Sequence, residues 1–192
     1  MNNDFINDQV FNKNYENETL EGVFNYVEIT NSTFKKCNFI KAKFAGIDIS
    51  NTSFQVSNLS NLALIDHTYS NIKFINCNLL GVSFIDSYLD NIEFINCNLK
   101  YSNFSGTNLK NIKFDNCNLE ESTFNEIKWK NIDFTNSNIN NSEFQKTKLE
   151  NLDLSKTEFD LIKLDQTKLK GLILNINQAL IITNLLGIKI RN

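Results

Sequence analysis

Proline is absent from the 192 residues, glycine occurs only 6 times, and there is one histidine, one tryptophan and one methionine. No proline and so few glycines argue against a fold of many ordinary tight turns, and against a flexible linker. A single His67 leaves little for a histidine-based catalytic or metal site. Neither sign of charge dominates, with 19 Lys and Arg against 22 Asp and Glu: the formal net charge is −3 and the sequence pI about 5.3, which excludes a strongly basic protein gripping nucleic acid by charge alone. No stretch approaches the roughly 18 uninterrupted apolar residues of a transmembrane helix. The start, Met1-Asn2-Asn3-Asp4, has no basic segment leading into an apolar run, so no secretory signal is expected. The expectation is a soluble cytoplasmic protein with no membrane partner. Present in quantity are 16 phenylalanines, within a hydrophobic content of 41% that is ample for a core.

The phenylalanines are not scattered. From Phe24 to Leu174 every fifth residue is apolar, 31 positions in succession, and 14 of them are Phe. Chance would give this run with a probability of about 10⁻¹². A period of five suits neither standard element. In an α-helix, residues i and i+5 lie about 140° apart, and in a flat strand a step of five changes face each time. The backbone must therefore turn a corner every five residues. A second period counts the corners. Cys37, Cys77, Cys97 and Cys117 share one phase of 20 residues, with Ser57 in the gap, and Asn31, Asn51, Asn71, Asn91, Asn111, Asn131 and Asn151 share another. Twenty residues per coil and five per side give a four-sided solenoid.

Segments such as Cys97-Asn98-Leu99-Lys100-Tyr101 and Ser102-Asn103-Phe104-Ser105-Gly106 resemble the A(D/N)LXX motif of pentapeptide-repeat proteins, over about residues 23–175. The resemblance implies an all-β, right-handed quadrilateral β-helix in which positions i and i−2 point inward and i−1, i+1 and i+2 outward. About 7.5 coils at roughly 4.8 Å each make a rod of roughly 36 Å. Phe74, Phe84, Phe94, Phe104, Phe114, Phe124 and Phe134 are its expected core.

Residues 1–22 fall out of phase, because Leu20 to Phe24 is a step of four, and are expected to form an irregular N-terminal cap. At the other end, residues 176–192 are expected to cap the solenoid and dimerise. Asn177 can N-cap a helix over Gln178–Leu186, with Gly187 just beyond its end and Ile188 and Ile190 alternating as a short strand. The ending resembles the C-terminal dimerisation module of Qnr and MfpA, pentapeptide proteins that protect bacterial type II topoisomerases from quinolones. The resemblance implies a homodimer interface of Leu180, Ile181, Leu185, Leu186, Ile188 and Ile190.

The cysteines lie 40, 20 and 20 residues apart, unlike the short spacing of a zinc site. At an inward i−2 position shared with Ser57, Ser137 and Thr157 they are expected to be buried free thiols chosen for volume. His67, also at i−2, has no acidic or thiol partner at matching spacing and is expected to be a packed, neutral side chain. Outward asparagines are expected to form amide ladders between coils. There is no Gly-rich phosphate loop and no nucleophile–base pair, so neither an enzyme nor a cofactor is expected.

Sorted by side, the repeat divides into an acidic pair of sides and a basic pair, net −4 and +3. Side one, centred on Phe24, Phe44 and so on, carries Asp66, Asp86 and Glu126, and side four carries Glu120 and Glu121. Side two carries Lys128, Lys130, Lys148, Lys168 and Lys170. The Qnr/MfpA resemblance implies that the acidic residues stand in for DNA phosphates toward DNA gyrase or topoisomerase IV, with no direct nucleic-acid binding. The unbroken five-residue phase leaves no room for the loops that interrupt many Qnr proteins. A scaffold for an unrelated protein partner is the alternative.

Overall fold

The computed structural model describes residues 4–5 and 9–190. Its strands run β1 (Gln9–Phe11), β2 (Asn14–Glu16), β3 (Thr19–Phe24), β4 (Val27–Thr30), β5 (Thr33–Lys35), β6 (Asn38–Phe44) and β7 (Ile47–Gln55). They continue as β8 (Thr68–Ile75), β9 (Tyr88–Ile95), β10 (Asn108–Asp115), β11 (Lys128–Asp133), β12 (Glu143–Phe144) and β13 (Lys163–Leu164). A helix, α1 (Ile176–Leu185), follows. Every pairing is parallel, and the main sheet runs β1-β4-β7-β8-β9-β10-β11. From β7 onward partners lie 20 residues apart, as in Thr68↔Tyr88 and Asn108↔Lys128. The chain is thus a parallel β-solenoid of about 8 turns.

The four sides are not alike. On sides two and three one strand, such as β9, runs along both and rounds the corner between them at Asn91, whose φ is +58°. On sides four and one the middle coils are joined by single bridges, Asn58↔Asn78↔Asn98 and Ser83↔Asn103↔Thr123, with strand pairs there only toward the two ends, β3 with β6 and β12 with β13. There the chain turns through bonds such as Ser102 N–H to Leu99 O and Thr107 N–H to Phe104 O. Most corners have their i+2 residue in the left-handed region, and asparagine fills 15 of the 24 non-glycine positions with positive φ. Asparagine tolerates that conformation better than other side chains with a Cβ. It takes the role that glycine plays in ordinary turns, which accounts for a chain rich in the one and poor in the other.

The core is two columns of rings. Phe54, Phe74, Phe94 and Phe114 stack at 5.0 Å with planes within 12°. Phe84, Phe104, Phe124 and Phe144 form the second column at 4.9–5.3 Å. The columns meet edge to face, as in Phe104–Phe114 at 5.8 Å and 80°. Such pairs add about 0.5–1.5 kcal/mol beyond the burial of their area. Phe74, Phe84, Phe94, Phe104, Phe114, Phe124 and Phe134 are each at most 1% exposed.

The inward i−2 residue does more than occupy volume. Thr107 Oγ1 donates to Phe84 O, Ser137 Oγ to Phe114 O, and Cys97 Sγ to Phe74 O, each one coil back. A small donor satisfies a carbonyl that is otherwise buried. All four cysteines are free and buried. The thiol of Cys97, held by those of Cys117 and Cys77 and by burial, is pushed far above its ordinary value.

The N-terminal segment read as an irregular cap is built of strands in its described part. β1, β2 and β3 pair with β4, β5 and β6 at an offset of 19 residues, and a register shift between Thr19 and Glu21 restores the offset to 20. Phe5 closes the core there, with its ring against Tyr15, Phe24, Phe34 and Phe44. Asp4 accepts hydrogen bonds from Tyr15 Oη at 2.6 Å and Lys13 Nζ at 3.0 Å, which holds its carboxyl below the usual range.

At the C-terminus the helix begins two residues earlier than the sequence suggested, and Asn175 rather than Asn177 is its N-cap. Asn175 Oδ1 accepts from Gln178 N–H, and Gln178 Oε1 accepts from Asn175 N–H, a reciprocal capping box. Gln178, 3% exposed, also donates through Nε2 to Leu154 O and Thr157 O. One side chain therefore both starts the helix and fastens it to the last coil. Ile188 and Ile190 are not in a strand: Ile188 N–H bonds back to Thr183 O at the end of the helix, and both residues are about half exposed. No helix among the described residues is long and apolar enough to cross a membrane.

Candidate partner-binding surfaces

Three surfaces are candidates for contact with a partner: the acidic corners, the apolar C-terminal end, and a basic face around the single tryptophan.

Asp66, Asp86, Glu121 and Glu126 are all exposed corner residues with φ between +55° and +59°. Asp66, Asp86 and Glu126 share one register position on coils of side one, and Glu120 and Glu121 lie on side four. The five differ in how free their charge is. Glu120 and Glu121 both meet Lys100 Nζ, at 2.9 and 3.6 Å, and Glu126 meets Lys146 Nζ at 2.8 Å. The Glu120 carboxylate pushes the Lys100 ammonium up to about 12. Among the described residues Asp66 and Asp86 are in no ion pair. The sequence could count these charges by side but not see this cross-coil pairing. It depends on lysines one coil away reaching over the edge, as Lys110 also reaches Asp90 at 2.7 Å and Lys163 reaches Glu143 at 2.6 Å.

At the C-terminal end the expected interface residues divide. Leu180, Leu185, Leu186, Ile188 and Ile190 are 38–54% exposed, whereas Ile181 is half-buried and Ile182 buried. Leu185 and Leu186 line a groove of about 210 Å³ with Leu161, Ile162, Leu164 and Leu169 of the last coil. The helix thus leans one edge on the solenoid and leaves apolar surface uncovered.

The third surface was not singled out by its chemistry in the sequence. Trp129 falls in the inward phase, yet its indole is only half-buried. An indole is too large for the slot that Leu109 fills one coil earlier, and its Nε1 instead donates to Lys148 O at 2.7 Å. β11 has no strand partner on its C-terminal side, so the main sheet ends there. A groove of about 310 Å³ opens beside it, lined by Ile127, Lys128, Trp129, Lys148 and Glu150.

His67 differs from its expectation. Its Nδ1 lies 3.6 Å from Asp48 Oδ1, so it does have an acidic neighbour, one coil back. Asp48 also accepts from Thr68 N–H at 2.9 Å, which places that carboxylate at the end of β8. The amide ladders are present: Asn91 to Asn71 to Asn51, Asn116 to Asn96 to Asn76, and Asn98 to Asn78 to Asn58. Among the described residues no group of three or more His, Cys, Asp or Glu side chains is placed to hold a metal ion.

A family model described as a pentapeptide repeat region matches residues 67–144. No curated protein matches the chain. Among solved structures, a trypsin-treated form of QnrB1, a plasmid-mediated fluoroquinolone resistance protein, is similar at 20% identity over 95% of this chain and 99% of that one, with a TM-score of 0.35. HetL, a pentapeptide repeat protein involved in heterocyst differentiation regulation from the cyanobacterium Nostoc, is similar at 15% identity over 84% and 83%, with a TM-score of 0.29. Rfr23 from the cyanobacterium Cyanothece is similar at 18% identity over 67% and 92%, with a TM-score of 0.30. Residues 67–144 are thus a pentapeptide repeat region, and the same inward phase runs on both sides of it, from Phe24 to Leu174.

Proposed function

We propose that the chain is a protein-binding rod of the Qnr and MfpA type. It engages DNA gyrase or topoisomerase IV as a partial mimic of duplex DNA and protects the enzyme from quinolones or a related poison. The observation that carries this reading is the corner column of side one, where Asp66 and Asp86 project exposed and unpaired carboxylates from successive coils. A rigid rod edge bearing stacked negative charge is what a DNA-binding saddle is built to receive. The rod works as a homodimer joined through Leu180, Ile181, Leu185, Leu186, Ile188 and Ile190. The uncovered apolar edge of α1 supports that arrangement.

A second reading has its own observation. Glu120, Glu121 and Glu126 are drawn into ion pairs with Lys100 and Lys146, which dilutes the acidic surface and favours a scaffold for a different protein partner. A supercoiling assay separates the two. Purified protein at about micromolar concentration should restore gyrase supercoiling in the presence of ciprofloxacin. No rescue and no gyrase binding would overturn the first reading, and a different stoichiometric partner in a pull-down would establish the second.

A further inference from the structure

The basic face around Trp129 belongs neither to the acidic corners nor to the C-terminal end. Lys128, Lys148 and Lys168 share one register position on three successive coils of side two, and Lys130, Glu150 and Lys170 form the column beside them. All five lysines are exposed. Lys148 is paired with Glu150 at 2.7 Å. Among the described residues Lys128, Lys130, Lys168 and Lys170 have no ion-pair partner. Elsewhere on the rod the lysines at 73, 100, 110, 146 and 163 reach a carboxylate one coil away, and the unpaired ones at 36, 43 and 156 stand apart from one another rather than in a cluster. In the midst of these free charges sits the groove beside the half-buried indole, with its Nε1 already committed to Lys148 O and its ring left as apolar wall. A half-open groove walled by Ile127 and the indole, with the Lys148–Glu150 pair on its rim and the unpaired Lys128, Lys130, Lys168 and Lys170 on the same side of the rod, carries a net positive charge complementary to an apolar side chain flanked by anions.

The patch is short. It spans three coils, about 10 Å at roughly 4.8 Å per coil. On its N-terminal side it meets the neutral Lys110–Asp90 pair. An extended peptide advances about 3.3 Å per residue, so three or four residues cover the patch. A longer polyanion such as a nucleic-acid strand would run off it along a rod whose net charge is −3.

We infer that side two around Trp129 is a docking site for a short acidic segment of a partner protein, with one apolar side chain seated beside the indole and its flanking carboxylates on Lys128, Lys130, Lys168 and Lys170. The site stands whether or not the acidic corners meet a topoisomerase, because it shares no residue with them.

The single tryptophan makes the test direct, since its fluorescence reports this groove alone. The full chain is titrated at low salt with a synthetic peptide of glutamates around one phenylalanine, with the same peptide carrying glutamines in place of the glutamates, and with an oligothymidylate of equal charge. The expected result is a saturable change in emission with the acidic peptide, weakened at least about tenfold by Lys128→Glu with Lys168→Glu and by physiological salt. These positions are exposed, and circular dichroism checks that the fold is kept; Lys130→Glu with Lys170→Glu gives an independent pair. No change with the acidic peptide, an equal response to the glutamine peptide, or tighter binding of the oligothymidylate would each overturn the inference.

Discussion

Val56 offers a sharp test of the corner chemistry. It occupies a left-handed corner with φ +51°, where most coils place asparagine, and it is 53% exposed, so little packing holds it there. A β-branched side chain in this region crowds the backbone, and the left-handed conformation costs a residue with a Cβ about 1–2 kcal/mol. Val56→Asn relieves most of that strain. It also sets an amide beside Asn76, whose Oδ1 already accepts from Asn96 and whose own Nδ2 could donate onward one coil back. Exposed hydrogen bonds of this kind add at most about 1 kcal/mol, so the expected gain is about 1–2 kcal/mol in all. For a chain of this length that raises Tm by about 2–8 °C. The measurement is thermal unfolding followed by circular dichroism, with Val56→Ala as the control. Alanine removes the same exposed apolar surface and the β-branch but keeps the Cβ in a left-handed corner, so it should gain clearly less than asparagine. If alanine stabilises as much as asparagine, or if neither does, the explanation of the asparagine-rich corners is wrong.

Three further outcomes follow from the packing. Phe104→Ala opens a hole between Phe84 and Phe124 and should cost about 3–5 kcal/mol in urea unfolding, whereas a loss under about 1 kcal/mol would mean that the ring column is not tightly packed. Leu185→Asp, at the uncovered edge of α1, should halve the mass seen by light scattering; an unchanged dimer would remove the helix from the interface. The four buried thiols should resist Ellman's reagent in the folded protein and all react in denaturant, and fast reaction of the native protein would contradict their burial.

The core was legible because burial writes itself directly into residue type: an inward position every five residues must be apolar, and Phe24 to Leu174 records that with no gap. The left-handed corners were recorded as well, in the asparagines at 31, 51 and 71, but backbone conformation and amide laddering leave the same residue, and only the dihedral angles separate them. The start of α1 slipped by two because Asn175 and Asn177 are both good N-caps. The deciding residue was Gln178, which sits three beyond Asn175 and completes the capping box. The ion pairs and the exposure of Trp129 were illegible for a different reason. They depend on how far side chains reach between coils, and a period reports position, not reach.

The missing rung beside Trp129 also has a mechanical consequence. From β8 to β11 each coil is fastened to the next on all four sides, so that part of the rod resists bending as a beam does. After β11 side two is fastened through side chains, the Trp129 indole N–H to Lys148 O and Ile127 N–H to Thr147 Oγ1, while Phe124 on Phe144 and the bond from Phe124 N–H to Glu143 O hold another side shut. Stiffness is lowest where one wall of a beam is cut, and the compliant direction opens toward the cut. The last coils, with α1 fastened to them by Gln178, can therefore tilt as a block away from side two, and in a dimer joined through α1 that tilt sets the angle between the two rods.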